Sequence, residues 1–173
     1  MPLLCPVDSF DGRNEIVICD SETAKSAHME LFRFNEDVYI TANNNSPSLF
    51  DMIYGIVDRC NSESGECPAK VHLVVNWCNL LRVSIWKSLK LTTGDVFTIL
   101  KSAGASAGDL QPFKNADVND IFPSFYYSKK FDIFRRLCHK AKKQVEEHLK
   151  TNTIRIDCHL VAEDTARIVA SSL

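Results

Sequence analysis

The sequence predicts an α+β fold, one domain with a mainly antiparallel sheet and three to four helices. Three observations predict it. Lys70 to Trp77 and Thr153 to Val161 are rich in β-branched residues and alternate or run apolar as strands do. Residues 47–60 and 128–150 repeat apolar side chains every three or four positions, the period of a helix with one buried face. The chain has 173 residues, 45% of them hydrophobic and 24% charged. That is enough to bury roughly 70% of its unfolded surface in a single core, with no disulfide or metal required. The globular domain is read as 28–173, preceded by a partly irregular segment, 1–27.

Along the chain, Glu15 to Cys19 (EIVIC) is expected as a short edge strand, and the polar DSETAKSA after it as a loop. His28 to Thr41 reads as a β-hairpin with arms Met29–Phe34 and Val38–Thr41 around the polar Asn35, Glu36 and Asp37. Ser46 and Pro47 look like an N-cap and first position for a helix over 47–60. In Lys70 to Trp77, Val71, Leu73 and Val75 share one face with Trp77, and His72, Val74 and Asn76 the other. A turn near Cys78 and Asn79 leads to a second strand, 81–86, making a central hairpin. Thr92 and Asp95 resemble a capping pair for a short helix over 95–102, stopped by Gly104. The small-residue run 102–109 reads as a mobile loop, and 111–127 as a long aromatic connection. In the last strand Ile154, Ile156, Cys158 and Leu160 are expected to point inward and Arg155, Asp157 and His159 outward. A short helix over 163–170 closes the chain.

Composition excludes several classes. The net charge of −2 does not mark a general nucleic-acid binder. No apolar run reaches about 18 residues, so no transmembrane helix is expected. The start MPLLCPVDSFDG has neither the basic nor the apolar region of a secretory signal. The seven cysteines are odd in number and lack CxxC spacing, so they read as reduced thiols of an intracellular protein, cytoplasmic or nuclear, with a peripheral membrane location left open.

The chemistry-bearing residues form no specific motif. Neighbouring side chains diverge on a strand or helix, so Cys138–His139 and Cys158–His159 cannot easily chelate one ion. A zinc site assembled only by folding stays open, with buried thiols as the ordinary reading. A His72–Cys158 pair would need folding to bring it together and an orienting acid. Asp117, Asp120, Asp132 and Glu146 make no recognisable metal set. No phosphate-binding glycine loop or serine elbow occurs. No catalytic residue, metal or cofactor is therefore assigned, and no small-molecule substrate is identified.

The concentrated signal is the helix over 128–150. Phe134, Leu137, Cys138, Ala141, Val145 and Leu149 fall on one arc; Lys129, Lys130, Arg135, Arg136, Lys140, Lys142 and Lys143 supply cations. Residues 129–150 carry a net +5, which leaves −7 for the rest. Phe122, Phe125, Tyr126 and Tyr127 lie directly before it. Cations beside aromatic rings suit an anionic membrane surface, RNA or nucleoprotein, or another protein copy. They also suit the solvated back of an ordinary core helix.

The order of hairpin, helix, strands, aromatic loop, amphipathic helix and final strand, carried by residues 29–86 and 128–161, resembles the matrix proteins of negative-strand RNA viruses, the small rhabdovirus type in particular. The likeness is in element order and size; no PPxY sequence is present, and the acidic balance departs from the usual basic matrix protein. The resemblance implies a non-enzymatic virion protein that self-associates, condenses nucleocapsid and contacts membrane. The alternatives are a small intracellular hydrolase or nuclease with scattered His, Cys and acidic residues, and an RNA-binding accessory protein.

Overall fold

EIVIC is apolar at four successive positions, and those four are buried. A strand covered on both faces belongs inside a sheet. In the computed structural model, which describes residues 14–42, 48–62, 67–149 and 153–173, this strand, β1 (Glu15–Cys19), lies between two neighbours rather than at an edge. β2 (Tyr39–Thr41) pairs with it on one side and β3 (Lys70–Val75) on the other; β4 (Arg155–Ala162) and β5 (Arg167–Ser171) complete the order β2-β1-β3-β4-β5.

The fold is α+β with a single five-stranded sheet, but the sheet is mixed. β1 is parallel to both β2 and β3, and β3 is parallel to β4; only β5 runs antiparallel, against β4. The expected antiparallel hairpins fail for one reason. Parallel neighbours need crossover connections, and segments read as strands or loops are those crossovers. The first is α1 (Glu22–Phe32), capped by Ser21, whose hydroxyl accepts from the Ala24 N–H at 3.1 Å. It covers most of the polar stretch read as a loop and the first four residues of the arm Met29–Phe34 read as a strand. Arg33 ends it in the left-handed region at φ 55°.

The helix expected over 47–60 is α2 (Leu49–Asn61), with Ser48 and Asp51 as a reciprocal cap; Ser46 and Pro47 lie outside the described residues. The expected strand 81–86 is instead within or just beyond α3 (Trp77–Ser84). Asn76 caps this helix through the Asn79 N–H at 2.9 Å, and Trp77, Leu80, Leu81 and Ser84 make one buried face. α4 (Thr93–Ser102) has the Thr92–Asp95 cap read from the sequence. The small-residue run holds α5 (Ala107–Leu110). The aromatic connection is a 3-10 turn, Gln111–Phe113, and then α6 (Val118–Tyr127), whose start is fixed by Asp117 and Asp120. The basic helix is α7 (Phe131–His148); Lys150 lies outside the described residues. The expected terminal helix is a turn followed by β5.

The two sheet faces differ. On one, Ile16, Ile18, Val71, Leu73, Ile156, Cys158 and Leu160 join α2, α3, α4, α6 and α7 in the main core. On the other, among the described residues, Val17, Cys19, Val74 and Val161 meet only Ala24 and Ala27 of α1 as buried apolar partners. Residues 15–32 thus belong to the same packed unit as the rest, not to a separate irregular segment.

Candidate metal centre

The thin layer under α1 is where polar groups are buried. In β3 and β4, residues of one parity face the main core, so His72, Asp157 and His159 must face α1. His159 and Asp157 therefore do not point to solvent as expected; both are 0% exposed. The register sets His72 opposite Asp157 and Val74 opposite His159, so the two histidines sit diagonally on adjacent strands. His28 descends from α1, one helical turn beyond Ala24, onto the same spot.

The three rings make one cluster. His72 and His159 lie nearly parallel, with centroids 5.5 Å apart and planes at 14°. His28 meets both edge-on, at 5.1 and 5.2 Å. His72 Nδ1 and His159 Nε2 are 3.2 Å apart. One nitrogen from each of the three rings lies within 4.8 Å of the other two. Each ring also has an outward partner. Tyr39 Oη is 2.8 Å from His28 Nδ1, Glu15 Oε1 is 2.6 Å from His72 Nε2, and Ser171 Oγ is 2.9 Å from His159 Nδ1.

These partners constrain the protons. A carboxylate only accepts, so His72 Nε2 carries the hydrogen and a neutral His72 presents a bare Nδ1 lone pair to the centre. Burial disfavours the charged form of all three histidines. Burial pushes His28 down to about 3, with the two other imidazoles adding to it. Burial likewise lowers His159 to about 4 and lowers His72. Neutral imidazole is the metal-ligating form. His28 Nε2 is buried without a hydrogen-bond partner among the described residues. An orphan of this kind costs about 1–3 kcal/mol, which a cation in the centre would relieve.

The fit can be stated geometrically. A tetrahedral zinc ion with Zn–N bonds of about 2.0–2.1 Å places its ligand atoms about 3.3 Å apart. The His72–His159 separation already meets this. Bringing His28 in takes at most about 1.5 Å of motion. Glu15 matches the usual arrangement in which a ligating histidine gives its other N–H to a carboxylate, and Tyr39 and Ser171 place hydroxyls at the outward nitrogens of His28 and His159. Phe32 stacks on His28 at 4.4 Å, and Phe34 stands edge-on to His28 and His72, so aromatic rings roof the site. Lys70 meets Asp157 at 2.8 Å and Glu15 at 3.8 Å, which balances the carboxylates at the rim.

The residues singled out in the sequence lie elsewhere. Of the cations on α7 and the turn before it, Lys142 reaches Asp157 at 3.8 Å, Lys130 pairs with Asp109, Arg135 with Asp132 and Lys143 with Glu147. Arg136 donates to the Ala103 carbonyl. Lys129 and Lys140 are exposed and half-buried respectively. Phe125 is buried, Phe122 and Tyr126 are half-buried and Tyr127 is exposed. Cys158 lies on the opposite sheet face from His72 and beside Cys138, whose thiol, together with burial, pushes the Cys158 pKa well up; no cysteine–histidine pair forms there. Asp117 and Asp120 are spent on capping α6.

His28, His159 and their partners Glu15, Tyr39 and Ser171 were not visible as a site in the sequence. One signal did exist: His72 and His159 each sit inside an apolar strand run, VHLVV and CHLV. Strands buried on both faces must satisfy any histidine internally. Comparisons with family models, with characterised proteins and with solved structures find no match.

Among the described residues no helix is long and apolar enough to cross a membrane.

Proposed function

We propose that this chain is a metal-binding domain in which His28 Nε2, His72 Nδ1 and His159 Nε2 hold one divalent transition ion, zinc fitting best. The observation that carries the reading is the convergence of three buried imidazole nitrogens, one without any other partner. The ion's role is structural. The ligands are 0–1% exposed, so a fourth ligand position there has no open path for a substrate. The ligands come from α1, β3 and β4, so one ion ties the helix to the sheet. α1 needs that tie, because its only fully buried residues are Ala24, Ala27 and His28 and two alanines bury little apolar surface.

The test is metal analysis of purified protein, with thermal unfolding before and after chelation. One zinc per chain is expected, with stability lost to the chelator and restored by zinc; an ion present at 1,000 times its dissociation constant adds about 4 kcal/mol. Cobalt(II) should replace zinc with the visible absorption of a tetrahedral site. Protein without stoichiometric metal, indifferent to zinc, refutes the reading.

A second reading has one observation in its favour. Arg135 and Lys143 are 62% and 75% exposed on α7, and Tyr127 and Phe131 are exposed near the start of that helix. This surface suits contact with an anionic membrane or nucleoprotein, and self-association, as a non-enzymatic assembly protein would require. The viral matrix resemblance rests on an element order with two hairpins, and α1 and α3 stand in their places, so this reading depends on the α7 surface itself. Co-sedimentation with anionic vesicles or RNA at two salt concentrations tests it. Binding should vanish in Arg135→Glu with Lys143→Glu, and unchanged binding removes the reading.

A further inference from the structure

The fold places a second polar–aromatic cluster at the carboxyl ends of β3 and β4. In parallel sheets, ligands bind outside the carboxyl ends of the strands, near the point where the chain switches direction. Here the switch lies between β1 and β3, because α1 follows β1 on one face of the sheet and α3 follows β3 on the other. Asn76, at the end of β3, spans from that point to β4: its backbone N–H donates to Asp20 Oδ2 at 2.7 Å and its side-chain amide to Glu163 Oε1 at 3.1 Å. Beside this bridge opens a cleft of about 270 Å³.

Its walls are of two kinds. α6 supplies Phe122 and Tyr126, stacked at 6.0 Å, and Trp77 stands 5.8 Å from Phe122. Trp77 is locked by donation from Nε1 to the Val118 carbonyl at 3.0 Å, which fixes the ring against α6. The other wall is the β4–β5 turn, which contributes the exposed carboxylates of Glu163 and Asp164. No Lys or Arg lines the cleft among the described residues. Aromatic faces carry negative potential and attract cations. Two carboxylates at the rim add to that attraction, and nothing in the lining opposes it.

We propose that this cleft binds a small organic cation, its apolar body against Phe122 and Tyr126 and its charged head toward Glu163 and Asp164. The site is independent of the histidine centre and stands whether or not that centre takes a metal. An inorganic anion or an acidic ligand would meet only like charge there. A neutral apolar ligand would forgo the interaction that distinguishes the two walls.

The experiment is a titration of the full chain with choline and with benzamidine, each against a neutral partner of similar shape, 3,3-dimethyl-1-butanol and benzyl alcohol. Amide NMR reads the Trp77 indole N–H and the Asn119 side chain, both of which line the cleft. The expected result is saturable shifts at those two groups for at least one cation, with the neutral partner about tenfold weaker or worse. Choline alone responding points to a quaternary ammonium as the head group the two carboxylates take; benzamidine alone points to a planar amidinium on an aromatic body. Glu163→Gln with Asp164→Asn should weaken the bound cation about tenfold. Both residues are in an exposed turn and Gln can still accept from Asn76, so the fold is retained, as spectral dispersion will show. Tyr126→Leu is a second variant that removes the ring while keeping apolar bulk. Absence of saturable binding by either cation, equal binding of the neutral partners, or full binding by the doubly neutralised variant overturns the proposal.

Discussion

Acid should unfold this protein through the histidine cluster, and the size of the effect follows from the burial. His28 is held at about 3 and His159 at about 4, against 6.5 for an ordinary histidine. Between roughly pH 4 and 6.5 the unfolded chain therefore binds protons that the native cluster refuses. Stability then rises with pH across that window and falls as pH drops through it. Each histidine costs about 1.4 kcal/mol per pH unit. From pH 6.5 to 4.5, these two together remove about 5 kcal/mol, against a typical total of about 5–15 kcal/mol. His72 is also lowered and acts in the same direction. Asp20 opposes it: burial raises its carboxyl, so the native state takes up that proton early and gains relative stability as pH falls. Asp95 and Asp109, both held to about 2 by their caps and lysine partners, lose their contribution only below the ordinary carboxylate range, outside the histidine window. The assay is urea unfolding followed by circular dichroism between pH 7 and 4.5, with chelator and with zinc. The chelated protein should lose about 5 kcal/mol, and His28→Leu should lose about half as much. With zinc the decline should be steeper, since protons then also displace the ion. A chelated protein equally stable at pH 6.5 and 4.5, or a His28→Leu variant with the full wild-type loss, would refute the reasoning.

Further outcomes are expected at the residues around this centre and in the core. His72→Ala should abolish stoichiometric zinc uptake while the main core, on the other sheet face, keeps its helical circular dichroism. Glu15→Gln and Tyr39→Phe should each weaken zinc binding about 10–100-fold, measured by competition with a chromogenic chelator, because each orients one ligating ring. Phe134 is fully buried and packs on Phe122 and Trp77 at 5.1 and 5.6 Å. Phe134→Ala should cost about 3–5 kcal/mol in denaturant unfolding. Arg135→Glu with Lys143→Glu should change stability by only about 0.5 kcal/mol, since both pairs are solvent-exposed.

Much of the fold was legible where periodicity was strong and local. The apolar arc read for the late helix is buried, with Phe134, Leu137, Cys138, Ala141 and Val145 in α7 and Leu149 at its C-cap; Ile133, outside that arc, is buried too. The Thr92–Asp95 cap stands where the sequence placed it, and β3 and β4 lie where their β-branched runs predict. The misreadings share a cause. ETAKSAHMELF mixes short polar residues with an aromatic end, so it shows neither period clearly, and its single buried stripe is small. LRVSIW (81–86) resembles a strand by composition, but Asn76 caps a helix that starts at Trp77 and runs through Ser84. IFPSFYY carries a proline, yet the Asp117–Asp120 cap starts its helix upstream of that proline.

The sequence by itself determined that this is an α+β chain with a basic late helix and apolar strand runs at 70–77 and 153–161, because those properties depend on residues near one another in the chain. It could not decide how the strands pair. Parallel pairing is set by which faces the crossover helices cover, and that is a long-range property. The pairing in turn decided the site. His72 and His159 are 87 positions apart, and only the β3–β4 register, with α1 laid over it, brings them to 3.2 Å and adds His28. The strand alternation that assigned His159 to solvent had the correct period. What it lacked was the second layer, which turned an outward face into a buried one.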